Sequence, residues 1–322
     1  MLDQCGRNIH YLRLSITDKC NLRCKYCMPD GVIKCSHDDL LSYEQMVHII
    51  SIMAELGIDT VRLTGGEPLV RKDVDWLIRA IKQINGIKKV TITTNGVLLA
   101  DQIDNLVAAG LDSVNISLDT LKAEKFQQIT GFDQFQKVKD GIQKALDKNL
   151  PVKINCVPQK GINEDELLDL AYLAKEYPLE VRFIELMPLG EGKRSSGMNN
   201  QELYQYFTDH LGPLTQVESR QGAGPAVCYQ PEGFQGSIGL ISAMHGKFCG
   251  ECNRVRLTSK GFLKGCLASG QGLELRPLIL QDARDEVIKE RIQMTIWNKP
   301  MEHHFDNLEK MTEQREMFRI GG

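Results

Sequence analysis

Six short runs rich in β-branched residues recur along the first 186 residues, and the alternation inside them constrains the fold more than any other feature of the chain. They are YLRLSIT (11–17), TVRLT (60–64), KVTITT (89–94), SVNISL (113–118), VKINCV (152–157) and EVRFIEL (180–186). Their starts lie roughly 24 to 49 residues apart, room each time for a loop and a crossover helix, so a βα repeat building a parallel sheet is predicted. One set of alternate residues is apolar: Leu12, Leu14, Ile16; Val61, Leu63; Val90, Ile92; Val114, Ile116; Val152, Ile154, Cys156; Val181, Phe183. The other set is mostly polar: Arg13, Ser15; Arg62, Thr64; Thr91, Thr93; Asn115, Ser117; Lys153, Asn155; Arg182. Crossover helices cover the apolar face of a parallel sheet and curl the other face inward, so the polar set is expected to line a cavity. A closed eight-stranded barrel fills its interior with branched apolar side chains. Six strands with a polar, partly cationic inner face therefore predict an α/β fold, an open partial (β/α)6 TIM-like barrel around a large anionic ligand. The competing arrangement is a flat doubly wound sheet in which some of these residues cap loops.

Helix boundaries fit the repeat. Ser42 with Gln45, and Asn163 with Glu166, have capping-box spacing, and Asp101 precedes a helical pattern that stops at Gly110. After about residue 188 the rhythm fades. A linker, MPLGEGKRSSGMNNQ, leads to a short helix ending near Gly212, a turn-dense segment from 212 to 281, and a charged amphipathic helix from about 282 to 296. The expected division is a barrel core over 1–188 and a C-terminal region over 189–322.

With 42% apolar residues, 25% charged residues and a formal net charge of -3, neither disorder nor a polyanion-binding tail is indicated, so any anion site must be local. MLDQCGRNIHYLRLS has an acid and no apolar core of a signal peptide, and no run of about 18 apolar residues occurs, so a cytoplasmic protein with neither membrane nor nucleic acid as partner is expected.

Ten cysteines in such a chain point to metal binding rather than to disulfides. Six form two triplets: Cys20, Cys24 and Cys27, then Cys249, Cys252 and Cys266. The other four, Cys5, Cys35, Cys156 and Cys228, read as ordinary thiols. Thiolates select zinc and iron-sulfur clusters. A closed zinc site wants four ligands, and near the first triplet only Cys35 and His37 could supply one. A 4Fe-4S cluster held by three thiolates keeps one iron without a protein ligand, and that iron can bind a small molecule. The second triplet poses the same choice, with Arg254 and Arg256 alternating beside it.

A CxxxCxxC with an aromatic, Tyr26, before its last cysteine, placed just after a first strand, resembles the signature of the radical S-adenosylmethionine enzymes. LTGGEPL (63–69) resembles their GGE segment: Gly65 and Gly66 let backbone approach a ligand, and Glu67 can accept from its ammonium group. More narrowly, YLRLSITDKCNLRCKYCMP, VRLTGGEPLVRKD, TTNG, NISLDTL, VKINCVPQKGIN, VRFIELMPLG and GSIGLISAMHGKFCGECNRVRLTSKGFLKGCL resemble the GTP 3′,8-cyclase family of molybdenum cofactor biosynthesis.

That resemblance implies two 4Fe-4S clusters on the six cysteines and S-adenosylmethionine held by Tyr26, Gly66, Glu67, Ser117 and Met187. It implies GTP held by Arg13, Arg62, Thr93, Lys153, Arg254, Val255 and Arg256, with Arg254 and Arg256 also catalytic. The implied reaction takes hydrogen from the ribose 3′ carbon, joins that carbon to guanine carbon 8, and adds an electron and a proton. A flavodoxin- or ferredoxin-like electron donor and a downstream cyclic pyranopterin monophosphate synthase are the expected partners, and the chain a monomer or homodimer. The family's double-glycine tail, here Gly321 and Gly322, is expected to reach the active site. Arg13, Arg62 and Lys153 come from three strands, which suits gripping a triphosphate from several sides. The chain lacks the GxxxxGK[ST] phosphate loop. Two other readings stand beside this one: a twin-cluster radical enzyme that modifies peptides, and a zinc-stabilised binding module.

Overall fold

A computed structural model describes residues 1–28, 39–194, 196–219, 224–307, 309 and 311–320; Cys35, His37 and the Gly321, Gly322 tail lie outside the described residues. The six expected strands are present as β1 (Tyr11–Ser15), β2 (Thr60–Thr64), β3 (Lys89–Thr94), β4 (Ser113–Ser117), β5 (Val152–Cys156) and β6 (Glu180–Ile184), each parallel to the next. Six more follow: β7 (Thr215–Val217), β8 (Val227–Gln230), β9 (Ser237–Ile241), β10 (Arg254–Leu257), β11 (Phe262–Lys264) and β12 (Leu273–Glu274). They extend both edges, giving one sheet in the order β12-β11-β10-β1-β2-β3-β4-β5-β6-β9-β8-β7.

β10 runs parallel to β1 and β9 parallel to β6, so the parallel run is eight strands long where the sequence showed six. Antiparallel strands finish each edge, and β9 does not pair with β10. The barrel is open, as its polar lining led us to expect.

The apolar set is fully buried: Leu12, Leu14, Val61, Leu63, Val90, Ile92, Val114, Ile116, Ile154, Val181 and Phe183 form one core. The crossover helices α1 (Tyr43–Glu55), α2 (Val74–Lys82), α3 (Leu99–Ala108), α4 (Ala123–Thr130), α5 (Phe135–Asp147) and α6 (Leu167–Glu176) contribute its other half. Ser42 and Gln45 do form a capping box at the start of α1. The pair Asn163 and Glu166 does not. Asn163 instead accepts from the Gln159 amide (2.8 Å) and donates to the Asp119 carbonyl (2.8 Å), while the Glu166 carboxylate takes the Leu121 amide (2.8 Å) and the Lys125 ammonium (2.7 Å). Here tertiary partners outbid a local cap, and α6 begins only at Leu167. The pattern near Asp101 starts two residues earlier, at Leu99, which leaves Asp101 in the first turn where its charge favours the helix dipole.

Beyond the repeat come α7 (Asn200–Leu211), α8 (Arg276–Leu280) and α9 (Asp285–Trp297). α7 is closed at Gly212 as expected. Ile288, Ile292 and Ile296 form the buried stripe of α9. A second, small core joins Leu189, Ala268, Phe305, Met311 and Ile320, so the C-terminal strap lies against the loop after β6 and the loop after β11. Among the described residues no helix is long and apolar enough to cross a membrane.

Candidate active site

The inward face of the sheet encloses a cavity of about 490 Å³, within the usual range for ligand sites. It is lined from β10 (Arg254, Arg256) round to β6 (Arg182), which a flat sheet could not achieve. The two cysteine triplets meet it at opposite ends. Cys20, Cys24 and Cys27 follow the C-terminal end of β1, whereas Cys249 and Cys252 precede the N-terminal end of the parallel β10; all six cysteines line the cavity. At about 3.3 Å per residue, a five-residue strand separates the two ends by roughly 16 Å.

At the first end, the loop after β1 is stitched to the GGE segment. The Gly66 amide donates to Thr17 (2.8 Å) and the Glu67 amide to Lys19 (2.8 Å). A Cβ on Gly66 would lie 2.4 Å from the Lys19 carbonyl oxygen, and one on Gly65, at φ +148°, 2.3 Å from that of Thr17, so this approach needs glycine at both positions. The Glu67 carboxylate is buried; Oε1 accepts from Leu69 (2.9 Å) and Thr94 (2.7 Å), Oε2 from the Asn95 amide (2.6 Å). It thereby ties the end of β2 to that of β3, and Oε2 keeps a lone pair for a further donor. Burial raises its pKa to about 7. The Tyr26 hydroxyl donates to Asp119 (2.8 Å), whose other oxygen accepts from the Val157 amide (2.8 Å), so the cysteine loop is fastened to the ends of β4 and β5. Ser117 closes β4, and Met187 follows β6 beside the small second core. Burial pushes the thiols of Cys20 and Cys24 up and that of Cys27 to about 12.

At the other end, Arg7 donates to the Cys249 carbonyl (2.9 Å), and the Arg254 guanidinium lies 4.9 Å from the Phe248 ring centroid. Burial opposes ionisation of Cys252, but Lys299 and Arg254 bring its thiol down to about 7. Between the ends, register aligns Arg256, Arg13 and Arg62 across β10, β1 and β2. Arg62 donates to the Tyr11 hydroxyl and to Thr93 (3.3 Å). Burial, then Arg256 and Arg62, hold Arg13 well below the usual guanidinium range; burial and Arg254 bring Arg256 to about 10. Burial, then Arg182, brings Lys153 to about 7. Cations crowded this way repel one another, and a polyanion relieves the repulsion.

Every described residue expected in the site lines this cavity except Val255, whose side chain is fully buried in the core on the opposite face, so only its backbone could meet a ligand. Sequence reasoning assigned no role to Arg182, Asp119, Asn95 or His303, which also line it. Arg182 carried a signal, its place in the inward set of β6. His303 is buried with its ring 4.6 Å from that of Phe305.

The residues suit large polar ligands and clusters. Among the described residues, eight buried side-chain polar atoms lack a partner, and those of Thr64, Thr91, Asn115, Asn155, Arg182 and His303 belong to the cavity wall. Such atoms are rare in finished interiors and concentrate where a ligand completes the bonding. No group of three His, Cys, Asp or Glu among the described residues closes on a single ion. Three sulfurs spread on one wall suit a four-iron cluster, which is wider than an ion.

Two family models cover most of the chain: the radical SAM superfamily over residues 14–174 and Molybdenum Cofactor Synthesis C over residues 179–305. The GTP 3′,8-cyclase of Syntrophomonas wolfei is 46% identical over the full length of both chains, and that of Clostridium perfringens (strain 13) 45% over the full length of both.

The chain belongs to the GTP 3′,8-cyclase family.

As a member of that family it is a radical S-adenosylmethionine enzyme that carries two 4Fe-4S clusters and yields 5′-deoxyadenosine and methionine. Among solved structures, Streptococcus suis SuiB bound to S-adenosylmethionine matches with a TM-score of 0.62 at 14% identity, covering 97% of this chain and 77% of that one. At that identity the likeness shows the fold alone.

Proposed function

We infer that the chain converts GTP to (8S)-3′,8-cyclo-7,8-dihydroguanosine 5′-triphosphate, the first step of molybdenum cofactor biosynthesis. The observation that supports this most directly is the meeting of two three-cysteine sets at opposite ends of one cation-lined cavity. When bound, the first cluster and S-adenosylmethionine supply a 5′-deoxyadenosyl radical that takes one hydrogen atom from the substrate.

The chain's own part is to hold and orient. Cys20, Cys24 and Cys27 hold the first cluster, and Tyr26, Gly66, Glu67, Ser117 and Met187 hold S-adenosylmethionine. Cys249, Cys252 and Cys266 would hold the second cluster and so receive the guanine end of the substrate. Arg13, Arg62, Thr93 and Lys153, with Arg254, Arg256 and the Val255 backbone, hold GTP so that its ribose 3′ carbon faces the first end. Loss of that hydrogen, closure of the 3′ carbon onto guanine carbon 8, and gain of one electron and one proton balance the reaction. Arg254 and Arg256 are the catalytic residues, stabilising the rearranging nucleotide radical.

The electron comes from a flavodoxin- or ferredoxin-like donor, and a cyclic pyranopterin monophosphate synthase consumes the product. The protein works in the cytoplasm as a monomer or homodimer, with residues 1–188 as the barrel core and 189–322 as the second-cluster and substrate region.

GTP deuterated at the ribose 3′ carbon tests the reading: one deuterium is expected in the 5′-deoxyadenosine, and unlabelled deoxyadenosine would overturn it. Arg256→Ala removes one charge-assisted contact, about 1.5–3 kcal/mol. Its kcat/KM for cyclised product is expected to fall about 10- to 100-fold while S-adenosylmethionine is still cleaved. Product and deoxyadenosine quantified together check this; unchanged product yield would remove Arg256 from the role.

A further inference from the structure

We propose that Glu180 is the positioning residue of the phosphate end of the cavity, a single carboxylate that holds Arg182 and Lys153 aimed at the triphosphate. The proposal rests on the reading of GTP as substrate and extends it to a residue that does not line the cavity.

Glu180 opens β6, directly opposite Lys153 of β5, with Arg182 two residues along on the same face. Its Oε1 accepts from Arg182 Nε. Its Oε2 accepts from Ser219 Oγ (2.9 Å) and lies 3.7 Å from Lys153 Nζ, which also reaches Ser219 Oγ (3.4 Å). All three charged side chains are at least 94% buried. Room for them comes from a neighbouring glycine: a Cβ on Gly239 would lie 3.1 Å from Arg182 Cγ and 3.3 Å from Glu180 Oε1. With Nε engaged by Glu180, the Nη2 of the guanidinium is buried without a hydrogen-bond partner, and Arg182 lines the cavity.

The charged and titratable groups facing Lys153 are Arg182 and Glu180 on β6, Arg62 on β2 and Cys228 on β8. Burial and the two arginines favour the neutral amine, and Glu180 is the principal group that opposes them, leaving the lysine poised at about 7. Without the carboxylate the amine loses its proton at a lower pH, so the site carries less positive charge near and above neutrality. The competing expectation has the opposite sign. A carboxylate that merely repels phosphate would, when neutralised, tighten GTP at every pH.

Equilibrium binding of GTP to the anaerobic, cluster-loaded protein separates the two. The γ-phosphate titrates in the same range, so the ratio of the Glu180→Gln dissociation constant to that of the unaltered protein, taken at each pH from about 6 to about 8.5, is the readout. The ratio is expected to be about ten at pH 8 and to shrink toward one at pH 6, a tenfold change per pKa unit. Lys153→Arg added to Glu180→Gln is expected to restore affinity at pH 8, because a guanidinium stays charged. Ser219→Ala, a milder change that spares the ion pairs, is expected to move the ratio the same way by about threefold. A ratio at or below one at pH 8, or one that does not vary with pH, would overturn the proposal. Failure of the unaltered protein to bind GTP would overturn the substrate reading itself, and is seen before any variant is compared.

Discussion

Cys24→Ala is expected to lower bound iron from about eight atoms per chain to about four and to abolish 5′-deoxyadenosine formation. Cys24 belongs to a loop pinned on three sides: by the Gly66 and Glu67 amides, by the Tyr26 contact to Asp119, and by the Lys25 amide, which donates to Ile129 (3.1 Å). The loop holds its shape with or without the thiol, so the variant removes a ligand rather than a fold. Burial strongly disfavours the bare Cys24 thiolate, with Cys27 and Asp119 adding to the effect. Coordination to iron would stabilise that thiolate, and two remaining cysteines would not hold a cube that needs three. Cys156→Ala is the control. That thiol is fully buried on the apolar face of β5, away from the cavity, and its replacement is expected to leave the iron content unchanged. Iron analysis, the visible chromophore and deoxyadenosine quantification check both variants. Retention of about eight irons by Cys24→Ala would take this loop out of cluster binding.

Glu313→Ala is expected to cost about 3–5 kcal/mol of stability, because it leaves a buried ammonium without its partner. The Lys264 Nζ is fully buried against Glu313, and its other contact is the Leu267 carbonyl (3.1 Å). Glu313 also takes Arg315 Nε (2.9 Å) and the Arg315 amide (2.9 Å), so one carboxylate clips the C-terminal strap to the strand leading to Cys266. Burial already brings Lys264 to about 8, and loss of Glu313 lowers it further. The folded chain then holds fewer protons than the unfolded one between that value and the lysine's ordinary 10.5. Stability of the variant therefore rises with pH across this window, and because Lys264 of the unaltered protein itself loses its proton at about 8, the deficit shrinks as pH rises toward that value and levels off above it. Lys264→Met with Glu313→Leu removes both charges and is expected to regain most of the loss. Anaerobic denaturant unfolding measures all three proteins. A deficit under about 1 kcal/mol, the scale of a surface pair, would show that the ammonium finds water when its partner is removed.

Much of the fold and of the site is legible along the chain because its causes are local. Alternation with a period of two states which residues share a face, and the spacing between runs states that a helix returns the chain each time. That was enough to put Arg13, Arg62, Thr93, Lys153 and Ser117 on one surface, and Leu12, Val61, Val90, Val114 and Ile154 on the other. Both cysteine triplets are equally plain, since a loop can supply closely spaced ligands without help from the rest of the molecule.

What local pattern cannot state is which distant residue arrives opposite which. β10 is far from β1 in sequence, yet its pairing with β1 brings the second triplet to the end of the cavity opposite the first and aligns Arg256 with Arg13. Asn163 and Glu166 have the spacing of a cap but find better partners on the loop after β4, at Asp119 and Leu121. Glu180 reads as a strand's first residue until Ser219, Lys153 and Arg182 close on it, and Lys264 reads as a surface lysine until the strap delivers Glu313. Period and spacing are properties of neighbouring residues, so the sequence by itself determined the faces of the sheet and the two cysteine triplets. Burial of charge is settled only when sheet register and chain closure choose its partners, so the tertiary structure alone decided how those triplets and cations meet.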